Sequence, residues 1–166
     1  MSAAIHTGGC QCGAVRYRAE GELGFPHLCH CRMCQKAAGN YFMPLGGVMH
    51  ENFKLTRGEP AWFRSSETVR RGFCEKCGTP LFYDGSSDHI SITLGSLDDP
   101  QSVKPALQTN LAHKMSWFGE LDHLQHDIAM DMTEEQEKTV SASSNQHPDH
   151  DTEVWPRGKR HAEGHS

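Results

Sequence analysis

Apolar and polar side chains alternate with period two in several short stretches of this chain. Ala14-Val15-Arg16-Tyr17-Arg18-Ala19 follows a glycine-flanked turn, Gly9–Gly13, and has the pattern of a strand with one buried face. Ile90-Ser91-Ile92-Thr93-Leu94 alternates in the same way and stops at Gly95 and Asp98-Asp99-Pro100. Thr68–Phe73 and Leu81–Tyr83 read as strands on either side of a Cys-x-x-Cys turn. Asn52–Leu55 and Ala61–Arg64 flank Arg57-Gly58-Glu59-Pro60, which predicts a hairpin. Helical spacing is confined to short pieces: a turn over Cys31–Ala38, and a stripe of Phe118, Leu121, Leu124 and Ile128. Thr133 and Gln136 fit a capping box at the head of Thr133–Lys138. No internal repeat is present. The pattern predicts a mainly β fold with a few short helices.

Composition divides the chain near Met132. Residues 133–166 hold only five apolar side chains, Val140, Ala142, Val154, Trp155 and Ala162, with seven acidic and four basic residues. Such a stretch buries too little apolar surface to offset its ordering, so 1–132 reads as the folded domain and 133–166 as a disordered acidic, histidine-containing tail. The 166 residues suit one ordinary domain. No run approaches the roughly 20 apolar residues of a membrane span. Met1–Cys10 lacks a basic region followed by an apolar one, so no secretory signal is read and a cytoplasmic location is expected. The formal net charge of −5 has the wrong sign for a non-specific nucleic-acid or anionic-membrane binder.

Seven cysteines change the picture. The number is odd, and a reducing compartment favours metal binding or chemistry over a disulfide framework. They fall into Cys10-x-Cys12, Cys29-x-Cys31-x-x-Cys34 and Cys74-x-x-Cys77-Gly78. The last is a zinc-knuckle spacing, in which two intervening residues let both sulfurs face one ion and the glycine takes the turn. Cys10 and Cys12 need a partner pair, and Cys74 and Cys77 supply one. The favoured partition is a closed, structural Cys10/Cys12/Cys74/Cys77 zinc and a second zinc on Cys29, Cys31 and Cys34. Three protein ligands leave a tetrahedral position open, as catalytic zinc sites do. Three thiolates make a net anionic, soft centre that suits an incoming thiol. Two alternatives stay open for the second group: a fourth ligand from His27, His30 or His113 that closes it, or free or redox thiols.

Gly8-Gly9-Cys10-Gln11-Cys12-Gly13-Ala14-Val15-Arg16-Tyr17, Cys29-His30-Cys31-Arg32-Met33-Cys34-Gln35-Lys36 and Phe73-Cys74-Glu75-Lys76-Cys77-Gly78-Thr79-Pro80-Leu81-Phe82 carry a resemblance. Together with Gly95-Ser96-Leu97-Asp98-Asp99-Pro100, they make the chain resemble the glutathione-dependent formaldehyde-activating enzyme family, also called the centromere protein V family. The resemblance covers about residues 5–125. It implies a β-tent of antiparallel sheets with two zinc sites. Its structural zinc would be held by Cys10, Cys12, Cys74 and Cys77, and its catalytic zinc by Cys29, Cys31 and Cys34. It also implies carbon–sulfur lyase activity, or in the other direction S-hydroxymethylglutathione formation from formaldehyde and glutathione. Many members carry a histidine two or three residues after the proline matching Pro105; here Gln108 stands there and the histidine is His113.

The expected activity is therefore that of a zinc enzyme acting on glutathione or another small thiol, or on its adduct. His30 and His113 are the candidates for moving a proton at the carbonyl oxygen. Arg32, Lys36 and Arg71 are candidates for steering a carboxylate, against the ordinary reading of solvated surface charge. Tyr41, Phe42, Phe63 and Trp117 are candidates for lining a cleft, against core packing. The alternative is a zinc-stabilised binding module without catalysis. A nucleic-acid partner should show a basic stripe, and the compact basic cluster, Arg157-Gly158-Lys159-Arg160, lies in an acidic tail. A homodimer is compatible with the sequence.

Overall fold

The computed structural model describes residues 4–155. Ten strands and two helices follow in the order β1 (Ile5–Gly9), β2 (Arg16–Glu20), β3 (Gly24–Cys29), α1 (Arg32–Ala38), β4 (Met43–Met49), β5 (Phe53–Arg57), β6 (Ala61–Arg64), β7 (Arg70–Phe73), β8 (Pro80–Asp84), β9 (His89–Thr93), β10 (Leu107–Thr109) and α2 (Glu134–Ser143). A small sheet has the order β1-β2-β5, and a seven-stranded sheet the order β10-β3-β4-β9-β8-β7-β6. Every pairing is antiparallel except that of β10 with β3. The molecule is mainly β, as the alternation predicts.

Period two assigns the two faces of the large sheet. Val48, Ile90, Ile92 and Phe82 turn toward the small sheet and pack with Tyr17 in the main core. Tyr17 is fully buried, meets Phe82 edge-on at 5.4 Å, and pairs its hydroxyl with Ser96 Oγ at 2.7 Å. A buried phenol needs such a partner, because an unpaired hydroxyl there would cost about 1–3 kcal/mol. The opposite face carries Met43 and Leu45 beneath α1, next to Cys29 and Cys34. Arg71 shares that face, opposite Phe63 on β6 and Tyr83 on β8.

The expected hairpin over Asn52–Arg64 does not form. β5 pairs with β2 in the small sheet, whereas β6 pairs with β7 in the large one. The Arg57–Pro60 turn passes the chain from sheet to sheet, and Gly58 there has φ +57°. A Cβ at Gly58 would collide with the Ala14 carbonyl, so the glycine answers a close backbone approach as well as the turn. The Phe118–Ile128 stripe is also broken. Phe118–His123 is a 3-10 turn, Leu124 is extended, and Leu124 and Ile128 are exposed.

Low apolar content predicts disorder from residue 133 onward, yet 133–155 carry structure. Thr133 and Gln136 cap α2 reciprocally, as their spacing predicts, although no α2 residue is buried. Beyond it the chain returns to the β1–β2 turn. His147 is 4% exposed, and its amide donates to the Gln11 carbonyl at 2.8 Å. Trp155 Nε1 donates to the Cys12 carbonyl at 2.6 Å. Asp151 meets Arg16 at 2.7 Å, and Thr152 accepts from Arg57. The strap is held by polar contacts and one aromatic pair, which an apolar count does not register. Residues 156–166, including Arg157–Arg160, lie outside the described residues. Among the described residues, no helix is long and apolar enough to cross a membrane.

Candidate metal centres

The first cysteine cluster joins two turns. Cys10 and Cys12 lie in the β1–β2 turn, and Cys74 and Cys77 in the β7–β8 turn. Gly13 at φ +73° and Gly78 at φ +76° take left-handed conformations that close these turns. Gly78 N–H donates to the Cys74 carbonyl at 2.8 Å, Cys74 N–H to the Thr79 carbonyl at 3.0 Å, and Gln11 N–H to Thr79 Oγ1 at 3.0 Å. The four Sγ atoms lie within 4.8 Å of one another. Cys10–Cys12 and Cys12–Cys74 are 3.6 and 3.7 Å apart, beyond any disulfide. Zinc bonds of about 2.3 Å to sulfur place tetrahedral ligands about 3.8 Å apart, so the donor set fits zinc.

Burial, neighbouring sulfurs and local hydrogen bonds set the protonation of this cluster. Burial pushes the Cys12 and Cys74 thiols up, and neighbouring sulfurs add to the shift. Burial raises Cys77 too, but the Thr79 hydroxyl and amide outweigh it and bring that thiol down to about 6. Four sulfurs this close cannot all ionise unaided, and a divalent cation removes the penalty.

The second cluster is local in sequence. Cys29 ends β3, Cys31 caps α1 with Sγ accepting from Cys34 N–H at 3.4 Å, and Cys34 lies within α1. The three Sγ atoms lie within 4.8 Å of one another. Among the described residues, no histidine or carboxylate atom joins them. His27 hydrogen-bonds the Phe25 carbonyl instead, and His113 is exposed, its carbonyl accepting from Gln35 Nε2 at 2.9 Å. His30 lies between two of the cysteines and is fully buried. Its Nε2 faces Gln108 Oε1 at 3.1 Å, Phe118 meets the ring edge-on at 4.8 Å, and Nδ1 has no partner.

Two polar side chains reach these sulfurs from other elements. Asn110 Nδ2 donates to Cys29 Sγ at 3.3 Å, and Arg71 Nη2 donates to Cys34 Sγ at 3.4 Å. Burial pushes the Cys34 thiol up to about 12 against the pull of Arg71. Burial also raises Cys29, but the Cys31 amide and the Thr109 hydroxyl bring it below its ordinary value. Arg71 is buried against sulfur, not solvated at the surface. Asn110 has no sequence signal; only the parallel β10–β3 pairing, which sets Thr109 opposite Cys29, brings it here.

The remaining candidates divide. Arg32, Lys36 and Tyr41 line an open cleft of about 370 Å³ beside α1, with Gln35, Asn40 and Met115. Tyr41 packs edge-on against Trp117 at 4.6 Å, and Phe42 against Phe118 at 5.5 Å. Phe63 is 61% exposed on the edge strand β6.

The family model of the glutathione-dependent formaldehyde-activating enzyme matches residues 5–112, which hold all seven cysteines. The chain belongs to this family. A curated protein of Halomonas elongata that bears the same family name is 28% identical over 123 residues, spanning 66% of this chain and 77% of that protein. A crystal structure of a Rhodobacter sphaeroides protein superposes with a TM-score of 0.51 at 18% identity. It covers 62% of this chain and 99% of that one, a likeness of fold. The family match ends before Trp117, Phe118 and the 146–155 strap.

Proposed function

We propose that the protein makes or breaks the carbon–sulfur bond of a small thiol–aldehyde adduct, S-hydroxymethylglutathione or a close relative, at the Cys29/Cys31/Cys34 centre. One observation carries this reading: three sulfurs converge there and, among the described residues, no fourth protein ligand joins them. Cys29, Cys31 and Cys34 would hold the zinc, which would supply Lewis acidity toward a thiol sulfur. The family, named for formaldehyde activation with glutathione, supplies the substrate class. In the forward direction the thiol sulfur joins the carbonyl carbon and the oxygen gains a proton. In reverse, the hydroxyl gives up its proton as the carbonyl re-forms, and sulfur departs with the bonding pair and regains a proton on release.

The chain's own residues have separate parts. Cys29, Cys31 and Cys34 hold the metal, and Asn110 donates to Cys29. Gln35 ties α1 to its surroundings by donating to the carbonyls of His30 and His113. His30, closed in by Phe42, Phe118 and Gln108, holds the cysteine loop in place. It exchanges a proton with substrate only where its free Nδ1 is reached. The Cys10/Cys12/Cys74/Cys77 zinc is structural, because four thiolates leave no open position.

The test is Cys31→Ser, with zinc per chain measured beside exchange of formaldehyde and glutathione with their adduct by NMR. The expected result is one zinc instead of two and loss of catalysed exchange. Unchanged exchange in protein that has lost the second zinc sinks the proposal.

A further inference from the structure

We infer that Arg71 is the counter-charge of the three-cysteine centre, a positioning residue that lets this centre hold a divalent cation together with an incoming anionic thiol. The inference rests on the reading of Cys29, Cys31 and Cys34 as a zinc site. Arg71 is 7% exposed. Among the described residues, no carboxylate lies within ion-pair reach of it. Its guanidinium donates to Cys34 Sγ at 3.4 Å, Met43 Sδ at 3.6 Å and Ser65 Oγ at 3.3 Å, and lies over the Tyr83 ring at 5.0 Å.

A buried guanidinium stays charged, and burying a charge without a counter-ion is strongly unfavourable. Arg16, the other buried arginine, meets that requirement with Asp98 and Asp151. Arg71 has sulfur where Arg16 has carboxylate, so the anion it would face is Cys34 once a bound metal holds that sulfur as thiolate. Three thiolates and Zn²⁺ sum to −1, and Arg71 brings the group to neutrality. A thiolate arriving at the open position then creates one net negative charge rather than two.

The four-cysteine cluster has no such neighbour. Among the described residues, its sulfurs meet the Val15 amide and the Thr79 hydroxyl, with no arginine or lysine on them. That cluster is saturated and takes no further anion, so it needs no added cation. The two clusters are also joined through the chain, because Arg71 lies on β7 three residues before Cys74. Closing the first cluster fixes the strand that carries Arg71 to the second.

The experiment compares Arg71→Met and Arg71→Lys with wild-type protein. Zinc per chain is counted first, then competition with a chelator, then binding of 2-mercaptoethanol to cobalt-loaded protein by its absorption bands. Two zincs in the wild type are expected. Arg71→Met should weaken the second metal and the thiol by about tenfold or more, the usual cost of removing a group that supports metal ligands. It should leave the first metal unchanged, and Arg71→Lys should recover most of the loss. One zinc in the wild type overturns both the metal-site reading and this inference. Two zincs, with Arg71→Met holding the second metal and the thiol as tightly as wild type, overturn only the inference. Arg71→Lys falling as far as Arg71→Met also overturns it, since shape rather than charge would then be at work. If Arg71→Met loses the first zinc as well, Arg71→Gln against Arg71→Lys decides by the same criteria.

Discussion

The two cysteine clusters use the same side chain under different constraints. Cys10 and Cys12 come from one turn, Cys74 and Cys77 from another, so the first cluster closes a long loop and ties β1–β2 to β7–β8. The second draws its three sulfurs from one short stretch and fixes no distant strands. What reaches it from afar is Arg71 from β7 and Asn110 from beyond β10, both by side chain. On the proposed function, the cluster assembled from distant turns serves topology, and the local cluster with donors aimed at its sulfurs serves chemistry. The same donor atom thus sits in two different settings according to where the cysteines lie in the chain.

The largest test of that contrast is to remove one ligand from each cluster. Cys74→Ser should remove most of a structural zinc's contribution, on the order of 10 kcal/mol. That exceeds the whole stability of many domains, so the variant should be unfolded or insoluble by circular dichroism. Cys31→Ser should keep the fold and the first zinc while losing activity by about a hundredfold or more. A folded Cys74→Ser protein with wild-type melting would break the comparison.

A smaller effect is expected from the strap. Truncation after Ser144 removes the Trp155 contact with the Cys12 carbonyl and the Asp151 contact with Arg16, which keeps Asp98. The cost should be about 1–3 kcal/mol, a range set by lost buried polar contacts. Zinc should leave the first cluster faster under chelator while the second keeps its rate. Equal acceleration at both clusters would mean that the strap supports the whole fold and not one turn.

The sequence was legible wherever the cause is local. Cys74-x-x-Cys77-Gly78 needs only its own turn, and Ala14–Ala19 and Ile90–Leu94 show their buried face through period two. The grouping of cysteines was legible because ligand number constrains it. The hairpin expectation failed because turn residues at Arg57–Pro60 state that the chain bends, not which sheet receives each arm. Carboxylate steering and solvated surface charge are the two readings the sequence offers for Arg71, and nothing in Thr68–Phe73 reveals the sulfur opposite it. Asn110 depends on a parallel pairing across about eighty residues. The strap combines few apolar residues with many specific polar contacts, and composition measures only the former.

The smallest expected effect concerns how the strap responds to acid. His147 Nδ1 lies 2.6 Å from the Pro148 carbonyl, and Nε2 lies 3.2 Å from Arg57 Nη1 and 3.1 Å from Thr152 Oγ1. The carbonyl and the guanidinium fix a neutral ring protonated on Nδ1, with Nε2 accepting from Arg57. Burial lowers the His147 pKa below its ordinary 6.5, and Arg16 and Arg57 lower it further. A depressed histidine pKa means that the open strap binds more protons than the closed one as pH falls below about 6.5. The stabilisation is therefore complete above that pH and declines as pH falls through the lower, closed-state value. Protonation puts a hydrogen on Nε2, which can then no longer accept from Arg57. With 5-fluorotryptophan incorporated, the fluorine signal of Trp155, edge-on to His147 at 4.8 Å, should shift between pH 7.5 and 5.5 toward the position it takes in the urea-unfolded full chain. In His147→Gln the signal should hold one position across that range. A wild-type signal that stays fixed would show that the strap's grip depends on Asp151 and Thr152 rather than on the neutral imidazole.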